Sequence, residues 1–421
     1  IMLVWLKDLQ SNWLSWLAVA LTMVVSSASC ALAVSMLVAT SDADDDPTGP
    51  LGGTVLGMAV CTVVLITLSQ MRLIIEERER VYRSWRMIGM PGWMINSFIV
   101  GQVSAVSAIA ALIGTFAAPL FVDPMAAAFR SDGIPMPELA ITPLVIRIAV
   151  SICVASAVCG ALVPLRRVFR PRVEPRRVWV MLRCLVAAGL VGGAVYGCLQ
   201  IEEPADSIAA CMGLVILVAF MTPWLMPAVD QWTRLCGIAG ANVRVRRRFS
   251  VPHIVPWVLF GGLIVAVGSG IRMFKSSMGD LDTLSSGQVF AAFLGPVVAP
   301  SIVGAVLTSL IMRSRIASDV RGLRLAGASP AAWVRVQVGE AFCLTVTAAA
   351  IVITLSATVV ALLNHLLQTD SHSGMSALWE GLAGVWWAPF GLIFGAMFLA
   401  LCAVKLILAG FLRSTAQIRT N

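Results

Sequence analysis

Lysine, histidine and cysteine are the side chains here with the widest chemistry, and their neighbours limit what they can do. A lysine that holds nucleotide phosphates needs a preceding Gly and a following Ser or Thr, within a loop whose backbone amides cradle the anion. Lys7, Lys275 and Lys405, the only lysines, follow Leu6, Phe274 and Val404 instead. The nearest approach, Gly270-Ile271-Arg272-Met273-Phe274-Lys275-Ser276, lacks the glycine before Lys275, so ATP hydrolysis by such a loop is excluded. His365, Asp370 and His372 fall in one loop, but their spacing fits no zinc-ligand pattern, and no metal is expected. The ten cysteines are scattered through apolar runs with no Cys-x-x-Cys and read as small buried hydrophobes. Ala28-Ser29-Cys30 looks like a lipoprotein cleavage site. The apolar run around it, about 13–37, is too long for a signal segment and predicts a first membrane helix. No catalytic set is expected.

What remains is a repeated arginine pattern. Arg83-Ser84-Trp85-Arg86-Met87-Ile88-Gly89-Met90-Pro91 realigns without gaps, at an offset of 238 residues, on Arg321-Gly322-Leu323-Arg324-Leu325-Ala326-Gly327-Ala328-Ser329. Arg83 meets Arg321, Arg86 meets Arg324, Gly89 meets Gly327, and further on Gln102 meets Glu340. In the first copy Val81, Trp85 and Ile88 form an apolar stripe at helical spacing, with Arg78, Arg80, Arg83 and Arg86 off it. In the second, Val320, Leu323 and Ala326 form the stripe, with Arg315, Asp319, Arg321 and Arg324 around it. Gly89 and Gly327 are expected to end these helices, and Met90-Pro91 and Ser329-Pro330 to begin the next. A basic amphipathic helix ending at a glycine hinge suits the transmission of force from a soluble partner. Topology alone would explain the arginines but not the repeated spacing. Gln102 and Glu340, about one and a half turns into the following apolar segments, are candidate anchors of the same device.

The elements that must position these helices are membrane spans. The chain is 59% hydrophobic and 12% charged, with mean hydropathy +0.90. That composition predicts an all-α polytopic membrane protein. Ten apolar segments are expected at about 13–38, 52–74, 94–120, 142–165, 178–199, 207–229, 254–272, 288–312, 334–364 and 383–411. Residues 1–12 read as an interfacial amphipathic helix. The chain opens on Ile1, so the numbering is expected to begin inside a longer reading frame. With the N-terminus in the cytoplasm, 26 of the 30 basic residues fall in cytoplasmic segments, and 14 of the 22 acidic residues fall outside. This asymmetry places both termini in the cytoplasm and accounts for the net charge of +8 without any nucleic-acid partner. A first module at 13–170 (spans 1–4), a linker hairpin at 171–250 (spans 5–6) and a second module at 251–421 (spans 7–10) follow. The modules are parallel and related by a pseudo-two-fold axis along the membrane normal. Gly193-xxx-Gly197 and Gly391-xxx-Gly395 are expected to let helices approach closely. Arg147 and Lys405 are expected to snorkel, and few other charges lie within spans, which disfavours an ion-driven transporter.

At the repeated motif the chain resembles the FtsX-like permease family, the type VII or MacB-like membrane subunits of ABC transporters. In that family a segment of the form R-x-x-E-I-x-x-L-R-A-L-G-A-S precedes the third helix of a four-helix module. Arg324-Leu325-Ala326-Gly327-Ala328-Ser329 is a close match and Arg86-Met87-Ile88-Gly89-Met90-Pro91 a looser one. The likeness covers about 52–165 and 288–411, not the linker hairpin. It implies a multi-pass permease in a bacterial cell membrane, without catalytic residues of its own. A cytoplasmic ABC ATPase homodimer, carrying ATP and Mg, would dock on Arg78, Arg80, Arg83, Trp85, Arg86, Gly89 and Pro91 and on Arg315, Asp319, Arg321, Arg324, Gly327 and Ser329. Family members commonly carry a large extracytoplasmic domain, whereas the matching loops here span only about 39–51 and 273–287. The resemblance therefore implies export or membrane extraction of an amphipathic substrate met in the lipid: a lipid, lipopeptide, antimicrobial peptide or hydrophobic drug. The alternative is a transmitter that controls a sensor kinase or an extracytoplasmic protein without transport.

Overall fold

The computed structural model describes residues 13–41, 49–131, 139–168, 177–199, 204–245, 247–270, 272, 287–311, 322, 325, 327, 329–367 and 382–418. Apolar runs of this length leave the backbone one solution in lipid, internal hydrogen bonding, and the described residues are helical with no strand among them. In chain order the helices are α1 (Trp13–Ser41), α2 (Gly49–Glu77), the short α3 (Glu79–Met87), α4 (Gly92–Ala117), α5 (Pro119–Ser131) and α6 (Pro143–Val168). Then come α7 (Arg177–Cys198), α8 (Pro204–Val229), a 3-10 turn (Asp230–Cys236), α9 (Gly237–Val245) and α10 (Arg247–Gly261), which continues through a π turn (Gly262–Val267). The chain closes with α11 (Gly287–Ile311), α12 (Pro330–Leu367) and α13 (Trp387–Ile418). Among the described residues, nine helical stretches are long and apolar enough to cross a membrane; within α11 the qualifying run, Leu294–Thr308, is shorter. This is a multi-pass, all-α membrane protein.

The packing has a repeated plan. Helix α1 packs on α2, α4 and α6, while α2 and α4 both pack on α6. Helix α10 packs on α11, α12 and α13, while α11 and α12 both pack on α13. Between the two groups α1 meets α11, α2 meets α10, and α2 meets α11. Exchanging the groups turns the first of these contacts into the second and leaves the third unchanged. Helix α7 rests chiefly on α8 and is otherwise exposed.

Close approaches are made by glycines other than those expected. A Cβ on Gly114 of α4 would collide with the Val24 carbonyl and the Ser27 hydroxyl of α1. One on Gly160 of α6 would lie 3.3 Å from the Thr67 carbonyl of α2, and one on Gly304 of α11 2.5 Å from Ile66. At the last crossing, buried Gln70 donates to Thr22 Oγ1 at 2.9 Å and to the Gly304 carbonyl at 3.4 Å, joining α2 to α1 and α11. By contrast, Gly193, Gly197, Gly391 and Gly395 face open space. Among the described residues the small-xxx-small spacing there meets no other helix, because α7 and that part of α13 lie at the bundle's outside.

Candidate coupling surface

Helix α3 sits between the end of α2 and the start of α4, and aromatic packing fixes its roll. Tyr82 is buried, and its ring meets Trp85 edge-on at 5.7 Å. Trp85 in turn meets Phe98 of α4 at 5.4 Å with the rings nearly perpendicular, the arrangement aromatic quadrupoles favour. Arg78 is buried too, its guanidinium 5.2 Å from the Trp16 ring of α1. The face that packs is therefore Arg78, Tyr82 and Trp85, which corrects the stripe of Val81, Trp85 and Ile88 and moves Arg78 from the outer face to the inner one. Two aromatic rings bury more area than Val81 and Ile88 could, and they win the interior. Val81, Met87 and Ile88 are left exposed, beside exposed Arg83, Arg86 and Trp93. Arg83 reaches back one turn to Glu79 at 2.5 Å. Arg80 lies within α3.

The helix ends as its glycine predicts. The Gly89 amide donates to the Arg86 carbonyl and the Met90 amide to the Trp85 carbonyl, a Schellman closure with Gly89 at φ +95°. Pro91 then precedes α4 in extended conformation. In the second copy Arg315, Asp319, Arg321 and Arg324 lie outside the described residues, as do Val320, Leu323 and Ala326. What is described matches. Gly327 also has positive φ, +76°, and α12 starts at Pro330 as α4 starts at Gly92, 238 residues apart. The Ser329 hydroxyl caps α12 by accepting from the Ala332 amide at 3.3 Å. Met87 and Leu325, equivalent at the same offset, are 82% and 85% exposed, so each copy presents an apolar side chain just before its glycine.

Gln102 and Glu340 lie deeper than expected, about three turns into α4 and α12, because both helices begin before their apolar runs do. Gln102 is fully buried. Glu340 is the centre of a polar knot that the sequence did not announce. It accepts from Asn242 Nδ2 of α9 at 2.9 Å and pairs with Lys405 Nζ of α13 at 2.7 Å. Lys405 does not snorkel: the two side chains are 7% and 14% exposed, held inside by this pairing. Helix α9 is fastened at three further points. A Cβ on Gly339 would come within 2.8 Å of Ala239. The Trp232 indole donates to Thr347 Oγ1 at 3.2 Å. Asp230, fully buried, takes two hydrogen bonds from Arg247 at 2.5 and 2.9 Å, closing the loop that carries α9. The offset of 238 would have flagged α9 as a paired element, since its residues 239–245 fall on 1–7 of the expected interfacial helix, itself outside the described residues.

Away from α3, where α4 gives way to α5 beside the middle of α1, lies an apolar cavity of about 920 Å³. Val24, Ala28 and Leu32 of α1, Phe121 and Ala128 of α5, and Gly295 of α11 are among the residues that wall it; Ser29 supplies its only hydroxyl among the described residues. His365 is exposed at the end of α12, while Asp370 and His372 lie outside the described residues. No group of residues able to hold a metal occurs among the described residues.

With this geometry in view, the comparison with protein families is specific. Residues 53–172, the stretch from α2 through α6 that carries α3, match the FtsX-like permease C-terminal family. This part of the chain is an FtsX-like permease domain, the domain of a membrane permease component of ABC-type systems. No curated protein matches the chain.

Proposed function

We propose that this chain is the permease subunit of an ABC transporter, driven by a separate cytoplasmic ATPase that docks on α3 and on its counterpart before α12. The observation that carries this reading is the repetition of one surface device. An exposed apolar side chain, Met87 or Leu325, stands two residues before a glycine of positive φ that opens directly into a membrane helix. An apolar knob beside arginines fits a groove with an acidic rim on a soluble partner. Packing of Trp85 on Phe98 passes displacement of α3 into α4. The repeated contacts of α1–α6 and α10–α13 support two four-helix modules, with α7 and α8 as the hairpin between them. The excess of arginine at the α3 end supports a cytoplasmic position for that face.

The cargo we infer is amphipathic. Buried histidine and charged side chains among the described residues (Arg78, Asp230, His253, Glu340 paired with Lys405) gather at the α3 end of the bundle, which leaves the far half, among the described residues, without the buried charges an ion path would use. The test is docking. The full-length tagged chain is purified from its native membrane, and co-purified ABC ATPase is quantified by mass spectrometry and nucleotide hydrolysis. Arg83→Glu with Arg86→Glu, and separately Met87→Asp with Leu325→Asp, are expected to reduce recovery at least tenfold. Undiminished recovery with both double variants would remove these residues from the docking surface.

A further inference from the structure

The cavity between α1, α5 and α11 belongs to neither docking nor the polar knot, and its dimensions say what fits it. Its lining on α1 runs from Val24 to Leu32, about 12 Å of helix at 1.5 Å per residue. That is less than half of a hydrocarbon core about 30 Å thick. The space therefore takes up only part of the bilayer's depth. A membrane-crossing helix needs about 30 Å of length, more than the α1 lining offers, so a shorter and more slender occupant suits the cavity better. Among the described residues Ser29 supplies the only side-chain hydroxyl in the wall, whereas a buried water needs two to four polar partners. Left unfilled, an apolar recess of this size would forfeit dispersion contacts along its lining. We infer that the cavity holds a hydrocarbon chain of a membrane lipid, taken up laterally from the bilayer where α4 gives way to α5.

The site is built by a break in the first copy. After Ala117 the chain turns at Ala118 into α5, whose Leu120, Phe121, Pro124 and Ala128 wall the cavity. At the position 238 residues on, Ser356, α12 runs straight through to Leu367. The site is thus asymmetric: the first copy supplies α1 and α5, and the second copy closes it with α11. Asp123 and Arg130, both exposed on α5, carry opposite charges beside the lining residues. Among the described residues these two charges offset each other at the rim, which favours recognition by the chain over recognition by the headgroup.

The experiment uses the full-length protein in nanodiscs doped with phosphatidylcholine or phosphatidylglycerol bearing a diazirine in one acyl chain. Adducts are mapped by mass spectrometry. Labelling is expected to concentrate at 24–32, 120–128 and 295–299, at least fivefold above α7, which faces lipid along most of its length, and equally for the two headgroups. A side chain at Gly295 meets nothing within 4 Å of its Cβ, so Gly295→Phe projects into the cavity without disturbing the backbone. It should cut cavity labelling at least fivefold and leave α7 labelling unchanged; Ala128→Leu, which changes less volume, should do so partially. Cavity labelling no higher than on α7, unchanged labelling in both variants with α7 labelling intact, or crosslinks there to a protein would each overturn the inference. A strong preference for the anionic lipid would overturn recognition by the chain alone.

Discussion

Replacing Lys405 by Met tests whether the buried knot joins α9, α12 and α13 as described. Glu340 and Lys405 approach to 2.7 Å with side chains 14% and 7% exposed. At an effective dielectric of 20 their attraction is about 6 kcal/mol, most of it offset by several kcal/mol of desolvation per ion. The intact pair is worth little against an apolar replacement, but half a pair is expensive. Lys405→Met strands a carboxylate whose remaining partner is Asn242, and should destabilise by about 3–5 kcal/mol. Glu340→Gln strands the ammonium and should cost a similar amount. The double variant removes both charges and keeps an amide partner for Asn242, so it should return to within about 1 kcal/mol of the parent, a departure from additivity of more than about 2 kcal/mol. Reversible unfolding of the full chain in mixed micelles, followed by circular dichroism, reads all four proteins. A parallel hydrogen-exchange measurement should show Asn242→Ala speeding exchange in α9 but not in α13. If Lys405→Met were tolerated within about 0.5 kcal/mol, or the double variant were as unstable as the sum of its parts, the two charges do not meet in the folded protein.

Two further outcomes follow from the glycines. Gly89 has φ +95° and open space where an alanine methyl would stand, so Gly89→Ala should cost about 1–2 kcal/mol through backbone strain alone. Gly89→Asn should recover much of this, read as hydrogen-exchange protection of the Gly89 and Met90 amides. Gly114→Leu drives a side chain into the α1 backbone and should prevent a stable fold, whereas Gly391→Leu should shift stability by less than about 0.5 kcal/mol; thermal unfolding separates them.

Local chemistry was enough to place the long apolar helices and the glycine breaks before α4 and α12, but not α5 or α9, whose short runs carry no spanning apolar signal. Apolar runs long enough to span lipid leave the backbone no alternative to helix, and a glycine after an amphipathic run ends it whatever surrounds it. The starts of α4 and α12 and the positive φ of Gly89 and Gly327 were legible for that reason. The roll of α3 was not. Both of its faces carry apolar residues, and only Trp16 and Phe98, held by other helices, decide that Arg78, Tyr82 and Trp85 turn inward. Nor could Lys405 be assigned a partner, since Glu340 stands 65 residues earlier and Asn242 98 before that. Such pairings, like the cavity walled by α1, α5 and α11, exist only once distant helices are packed, because they depend on separations between side chains that no local pattern encodes.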